Sequence, residues 1–397
     1  MTLLNMRLSP TSVRALLALA VAFVMLATTG WTGLRPHTGE DARAAALAAW
    51  MTGTIGARRL PDPNAASGTI ARFFSSLTRT QGLRLADHYP LVVGNLNGAP
   101  PALRYRANRR AIVQQRTTAV ARLHGDTLTW DGRGEEAELV QRYDSLLAGH
   151  RQILSFDPTG DGRIAEVFGD LGTARRISLI VPGVDTDVLT FERATKTYAA
   201  PVGMARELYA AERQDEPGAR TAVIAWADYT TPAGLGLDAS TGALAERGAV
   251  RLEGLLSALP RRTEVSLFCH SYGSVLCGLA APDLPDGRVQ DITVFGSPGM
   301  RAGNVSDLHT TAHVWAARDS GDWISDVPHL EFAGLGHGAD PVSASFGARV
   351  ISAAGASGHP GYFAPGTTSL ANFARIALGD YAAVTCHHED TCTRGLT

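Results

Sequence analysis

"VSLFCHSYGSVLCG", residues 265–278, reads as an apolar strand, a sharp turn at Ser271 and the start of a helix. The pattern is Gly-x-Ser-x-Gly with Cys269 in place of the first glycine. A serine hydroxyl is a poor nucleophile unless it is exposed, oriented and served by a base. A strand-to-helix elbow meets the first two needs, provided the residues two positions to either side are small. Gly273 satisfies one side, and Cys269 is small enough for the other. A helix beginning at Gly273 points its N-terminus at the site, where it favours developing negative charge. The Tyr272 amide is then one candidate oxyanion donor.

An elbow of this kind needs an acid and then a histidine, in that chain order. After the strand "HVWAAR" comes "DSGDWI", which places Asp322 just past the strand end, with Asp319 as its competitor. "GASGHPGYF" then sets His359 in a glycine-rich loop before a helix. An imidazole base needs such a loop and a carboxylate to hold its tautomer. Other histidines fit less well. His270 adjoins the serine but points the opposite way along the strand, as a wall of the pocket. His313 lies within a strand. His329 and His337 sit in an insertion over 323–345, and His337 in "GLGHGADP" is the rival base. The second oxyanion donor belongs to the loop after an earlier central strand. In "LIVPGVDTDV" that is the Val184 amide, with Gly183 next to it. Asp185 and Asp187 either line the mouth or cap the following helix.

From residue 151 onward the chain alternates short apolar runs with helical patterns. "RQILSFDPTGDGRIAEVFG" is a hairpin. Its turn, from Asp157 to Gly162, imitates the start of a calcium loop, but position twelve is Phe168 and the closing glutamate is missing. Strands are expected over 176–183, 221–229, 263–270, 291–299 and 312–322, with helices near 192–213, 240–258, 273–281 and 370–378. Near-continuous apolar strands with helices between them mean an α/β fold, a mostly parallel sheet covered on both faces. Residues 36–150 are expected to form a helical region that packs on it. "PALRYRANRRAIVQQRTTAVARL" is amphipathic, with Leu103, Ala107, Ala111 and Ile112 or Val113 on one side, and "YPLVVGNLNGAPP" reads as a loop. The expected organisation is 1–35, 36–150, a catalytic domain over 151–385 and a tail over 386–397.

Of 397 residues, 45% are hydrophobic and 19% charged, enough for a large core. The net charge of −2 argues against a nucleic-acid partner. Lys196 is the only lysine, which leaves no room for Schiff-base or Ser-Lys chemistry elsewhere. Arg7 and Arg14 precede an uncharged apolar stretch from Ala15 to Trp31. This reads as a signal peptide or uncleaved membrane anchor, with the remainder outside the cytoplasmic membrane. Cys269 and Cys277 are expected to be simply buried. Cys386 and Cys392 flank "HHEDT", and an oxidising compartment would let them pair. With His387 and His388 between them, a metal site is the alternative to a disulfide or free thiols, although no other Cys/His pair has zinc spacing.

"VPGVDTD", "CHSYGS", "VFGSPGM", "SGDWI" and "GHPGYF", in this order, resemble an actinobacterial α/β-hydrolase family of unknown function. "VGNLNGAPPALRYRANR" and "FDPTGDGRIAEVFGD" extend the likeness, so that it runs from about residue 90 to about residue 380. The resemblance implies the α/β-hydrolase fold with Ser271, Asp322 and His359 at the catalytic positions. The departure is Cys269, where the family usually has glycine. The expected activity is hydrolysis of a small-molecule or lipid ester, with no metal or organic cofactor. Acyl transfer in the cell envelope and a catalytically idle binding protein are the alternatives.

Overall fold

The computed structural model describes residues 38–125, 128–285, 287–332, 334–388 and 392–396. The apolar segment 15–31 lies outside the described residues. Among the described residues no helix is long and apolar enough to cross a membrane.

The centre is an eight-stranded sheet. Its strands are β1 (Gln152–Asp157), β2 (Arg163–Gly169), β3 (Arg176–Val181), β4 (Thr221–Ala227), β5 (Glu264–His270), β6 (Val289–Phe295), β7 (His313–Ala317) and β8 (Arg349–Val350). They lie in the order β1-β2-β4-β3-β5-β6-β7-β8. β2 runs antiparallel to both its neighbours, and the remaining pairs are parallel. This is the strand order of an α/β-hydrolase sheet. β3 connects onward to β4 on one side and has β5 on the other, so a crevice opens at the carboxyl ends of β3 and β5. The register brings those ends level: Val181 pairs with Cys269, His270 with Phe295, and Phe295 with Ala317.

The central strands read as unbroken apolar runs because helices cover both faces. Side chains alternate along a strand. Leu179, Val181, Leu267 and Cys269 pack against α7 (Ala243–Ala258) and α8 (Gly273–Ala280). Ile180, Phe268 and Phe295 pack on the opposite face against α6 (Pro201–Asp215) and α9 (Thr368–Leu378). α6 starts later than the sequence pattern suggests. Pro201 takes the first helical position, where its missing N–H costs nothing, and residues 192–200 form turns instead.

The preceding region is helical and packs on the sheet. It holds α1 (Thr38–Thr52), α2 (Ser67–Ser75), α3 (Arg79–His88), α4 (Pro101–Leu123) and α5 (Trp130–Leu147). Trp50, Ile70, Phe73, Phe74, Leu85 and Val93 form a core of their own. Ala111 and Ile112 of α4 join the core under β1 instead, while Val113 faces solvent. "YPLVVGNLNGAPP" is more ordered than a loop: Pro90–Val93 makes a buried helical turn. Two asparagines fasten this region to the edge strand β1. Asn95 Nδ2 donates to the Phe156 carbonyl, and its Oδ1 accepts from the Phe156 amide. Asn108 Nδ2 donates to the carbonyls of Gly94 and Ile153. A Cβ on Gly94 would lie 1.9 Å from Asn108 Oδ1, so only glycine allows that approach.

Candidate active site

Ser271 sits between β5 and α8 with φ 52°, a left-handed conformation that is uncommon for a side chain other than glycine. Its amide donates to the Phe295 carbonyl at 3.1 Å, and its carbonyl accepts from the Ser274 amide at 2.9 Å. Ser274 Oγ closes the turn on the Cys269 carbonyl at 3.0 Å. The elbow is wedged against the end of β3. A Cβ on Gly273 would lie 2.4 Å from the Val181 carbonyl oxygen. A Cβ on Gly183 would lie 2.7 Å from Ser271 Cβ and 3.0 Å from Ser271 Oγ. Two glycines are therefore fixed by the close passage of two strand ends.

Cys269 and Cys277 are buried, as expected, but they are also joined in a disulfide, which the sequence reading missed. α8 doubles back over β5 and brings its second turn above the strand end. Cys386 and Cys392 are paired as well.

Asp322 caps the short turn Trp323–Asp326 by accepting from the Ile324 amide at 2.9 Å. The same carboxylate accepts from His359 Nδ1 at 2.9 Å and from the Tyr362 hydroxyl at 2.6 Å. Burial pushes the Asp322 carboxyl up, but these donors outweigh it and hold it below its ordinary value. Asp319 does not touch the imidazole. It accepts from the amides of Gly321 and Gly358 and so braces the loop that carries His359. Gly296, with φ 53°, lies where a Cβ would come within 3.0 Å of both Asp322 Oδ2 and the His359 ring. The sequence signal for it was the "VFGSPGM" stretch, and that for Tyr362 was its place three residues after His359.

His270 is buried between the Phe295 and His359 rings, with centroids 5.0 and 4.6 Å away. Its Nε2 lies 3.0 Å from the His359 carbonyl. Burial and the neighbouring His359 push its pKa down to about 3, so it is a neutral ring that donates through Nε2. Ser271 and His359 are thus gathered by shared neighbours, Phe295, Gly296 and His270. No hydrogen bond between the Ser271 hydroxyl and the His359 ring is formed in this structure. The rival histidines are engaged elsewhere. His337 Nε2 meets the Ala239 carbonyl at 2.7 Å, with its ring edge-on to Tyr272. His329 Nδ1 contacts the Pro298 carbonyl, and His313 sits at the opposite end of the sheet beside Asp291.

The two segments singled out for oxyanion donors both reach the serine: Gly183 abuts Ser271 directly, and Val184 and Tyr272 are adjacent residues. Among the described residues the Gly183, Val184 and Tyr272 amides have no acceptor, whereas the Asp185 amide donates to Pro232. Asp185 accepts from the Gly234 amide, and Asp187 caps a turn through the Thr190 amide. In the loops that follow β4 and β7 several large apolar side chains face solvent: Leu235, Leu237, Trp323, Leu330 and Leu335. Trp323 packs 4.8 Å from the His359 ring. The hairpin that follows Leu330 is joined to the 237–240 turn through His337 and Ala239.

Among the described residues no group of three or more His, Cys, Asp or Glu side chains is placed to hold a metal. The calcium-like turn is a turn: Asp157 is neutralised by Arg43 and Arg163.

A family of alpha/beta hydrolases matches residues 157–332. Two curated relatives, uncharacterized proteins of Mycobacterium tuberculosis strains CDC 1551 / Oshkosh and ATCC 25618 / H37Rv, are each 26% identical over 378 residues. The match covers 81% of this chain, and the chain spans 57% of the length of those relatives. Among solved structures, an alpha-beta serine hydrolase homologue from Coxiella burnetii is 12% identical, with a TM-score of 0.29 over 55% of this chain and 91% of that one. An a/b serine hydrolase without lid from Xanthomonas campestris is 14% identical, with a TM-score of 0.26 over 41% of this chain and 68% of that one. The sheet order and the family match over the elbow-bearing segment agree: the chain has the alpha/beta-hydrolase fold.

Proposed function

We propose that the chain is a serine hydrolase that cleaves a carboxylic ester through an acyl-enzyme. The observation that carries this reading is the imidazole of His359, tied through Nδ1 to the buried Asp322 and packed on His270, the residue before an elbow-borne Ser271 with φ 52°. Ser271 Oγ attacks the ester carbonyl carbon while His359 Nε2 takes its proton. The proton then passes to the departing alkoxide, and water attacks the acyl-enzyme with His359 again as base. Asp322, kept ionised by its three donors, fixes the tautomer and balances the imidazolium. A neutral His270 adds no positive charge against that imidazolium. The amides of Tyr272 and Val184, with Gly183 beside them, stabilise the oxyanion at the N-terminus of α8.

The exposed apolar side chains at the rim favour an ester with a sizeable apolar group, a lipid ester included. The reading also places the protein outside the cytoplasmic membrane. The Arg-flanked apolar segment supports this, as does the pairing of all four cysteines in disulfides. Replacing Ser271 by Ala is expected to abolish both turnover of short p-nitrophenyl esters and labelling by a fluorophosphonate. Equal labelling of wild type and Ser271→Ala would reject the assignment of the nucleophile.

A further inference from the structure

The disulfide Cys269–Cys277 spans the elbow itself. Cys269 is the penultimate residue of β5, Cys277 lies in the second turn of α8, and Ser271 sits inside the short loop they close. Their Cα atoms are 6.5 Å apart, and both side chains are fully buried between strand and helix. A residue at φ 52° keeps that conformation only where its surroundings over-determine it. Three constraints converge here. Val181 and Pro182 press on Gly273, Ser274 Oγ holds the Cys269 carbonyl, and the disulfide joins the strand to the helix covalently.

We propose that Cys269 and Cys277 are positioning residues for Ser271, in addition to stabilising the fold. The inference rests on Ser271 being the nucleophile. A side chain at position 269 occupies the space between the strand end and the returning helix. A free side chain there can rotate and let α8 lift. Bonded to Cys277, the sulfur becomes part of the strand–helix contact and fixes the angle between β5 and α8. That angle sets the direction of Ser271 Oγ and of the Tyr272 amide, the first residue after the nucleophile. The bond thus does by covalent means what a glycine at 269 does by leaving the helix free to pack closely.

The test compares full-length wild type with C269A/C277A and C269G/C277A, each shown to be folded by circular dichroism. Melting temperature is measured first. Ester kcat, KM and the fluorophosphonate labelling rate are then measured well below it. In C269A/C277A, kcat and labelling are expected to fall about tenfold or more, with KM within about twofold, because small displacements of a reacting atom carry large rate penalties. In C269G/C277A both rates are expected to recover to within about threefold of wild type while the melting temperature stays low. Wild-type rates in C269A/C277A with only a lowered melting temperature would overturn the proposal. Absence of labelling in wild type would instead remove the nucleophile reading, and the proposal with it. If the alanine pair does not fold, a C386A/C392A background leaves the elbow disulfide as the only one. There the labelling rate is expected to fall in step with thiols released by a phosphine reductant while the circular dichroism is unchanged. Full labelling after release of two thiols per chain would overturn the proposal.

Discussion

Asp322 must stay ionised while buried, and it does so through three donors. The Tyr362 hydroxyl is the shortest of them and is itself buried, receiving a hydrogen bond from the Asp319 amide. Burial and the adjacent carboxylate push the Tyr362 phenol well above its ordinary value, so it remains a donor across the accessible pH range. Tyr362→Phe removes one hydrogen bond to a charged group, a change of about 1.5 kcal/mol or more. The carboxyl is then expected to rise towards its ordinary range. The expected result is a loss of about tenfold in kcat with little change in KM, and an acid limb of the pH–rate profile that moves to higher pH. An unchanged profile would show that His359 and the Ile324 amide suffice. At this scale the sequence was informative where chemistry has an order. The pairing of Asp322 with His359 could be anticipated in a chain with twelve histidines because the fold orders the loops that carry them. Asp322 was preferred to its competitor Asp319 on its place in the Gly-Asp pair, and the structure gives Asp319 a separate role in bracing the His359 loop. Gly296 lies in the quoted "VFGSPGM" stretch, but its role, to leave room for a pair of side chains contributed by two other loops, shows only in three dimensions.

The elements were legible where one face or both faces repeat a simple period. The strands under α6 to α9 were placed to within about five residues, because burial on two sides leaves mostly apolar side chains. α2 and α3 were missed, since their few core residues, Ile70, Phe73, Phe74 and Leu85, are spread through short polar stretches. The elbow disulfide was missed for a different reason. Its spacing crosses a strand, a turn and a helix, so no single period brings the two sulfurs together. α6 carries a further consequence. Glu212 is buried against the sheet, with Oε1 accepting from Ser178 Oγ at 2.7 Å and Oε2 without a partner. Burial pushes its pKa up to about 7 from an ordinary 4.5. The folded protein therefore holds a proton that the unfolded chain releases, and stability declines as pH rises from about 4.5 to about 7. Glu212→Gln keeps the Ser178 contact and removes the ionisation. Its denaturation midpoint is expected to match wild type at pH 4.5 and to exceed it by the equivalent of about 2–3 kcal/mol at pH 8. Parallel pH dependences for the two proteins would show that Glu212 does not titrate with unfolding.

Across the whole molecule, the helical region keeps a core of its own and joins a second one with the sheet, where Ala111, Ile112, Tyr143 and Leu146 pack with Ile153, Phe156 and Ile164. The sequence pointed to this packing through the amphipathic pattern of α4. It could not show the two asparagines that make the junction specific, because a buried asparagine looks like any polar residue until its partners are known. Asn108→Ala leaves the Gly94 and Ile153 carbonyls without that donor in a buried setting, at a cost of about 2–3 kcal/mol. The expected readout is a single, lowered thermal transition for sheet and helices together. Two separate transitions would mean that the helical region unfolds on its own. The same asparagines occupy the outward carbonyls of Ile153 and Phe156 and the Phe156 amide, all on the edge strand. An edge left with such groups unpaired is a template for strands from other molecules. In this protein the helical layer is therefore also a guard against intermolecular β-pairing. A chain that loses α4 by proteolysis is expected to aggregate through this exposed edge.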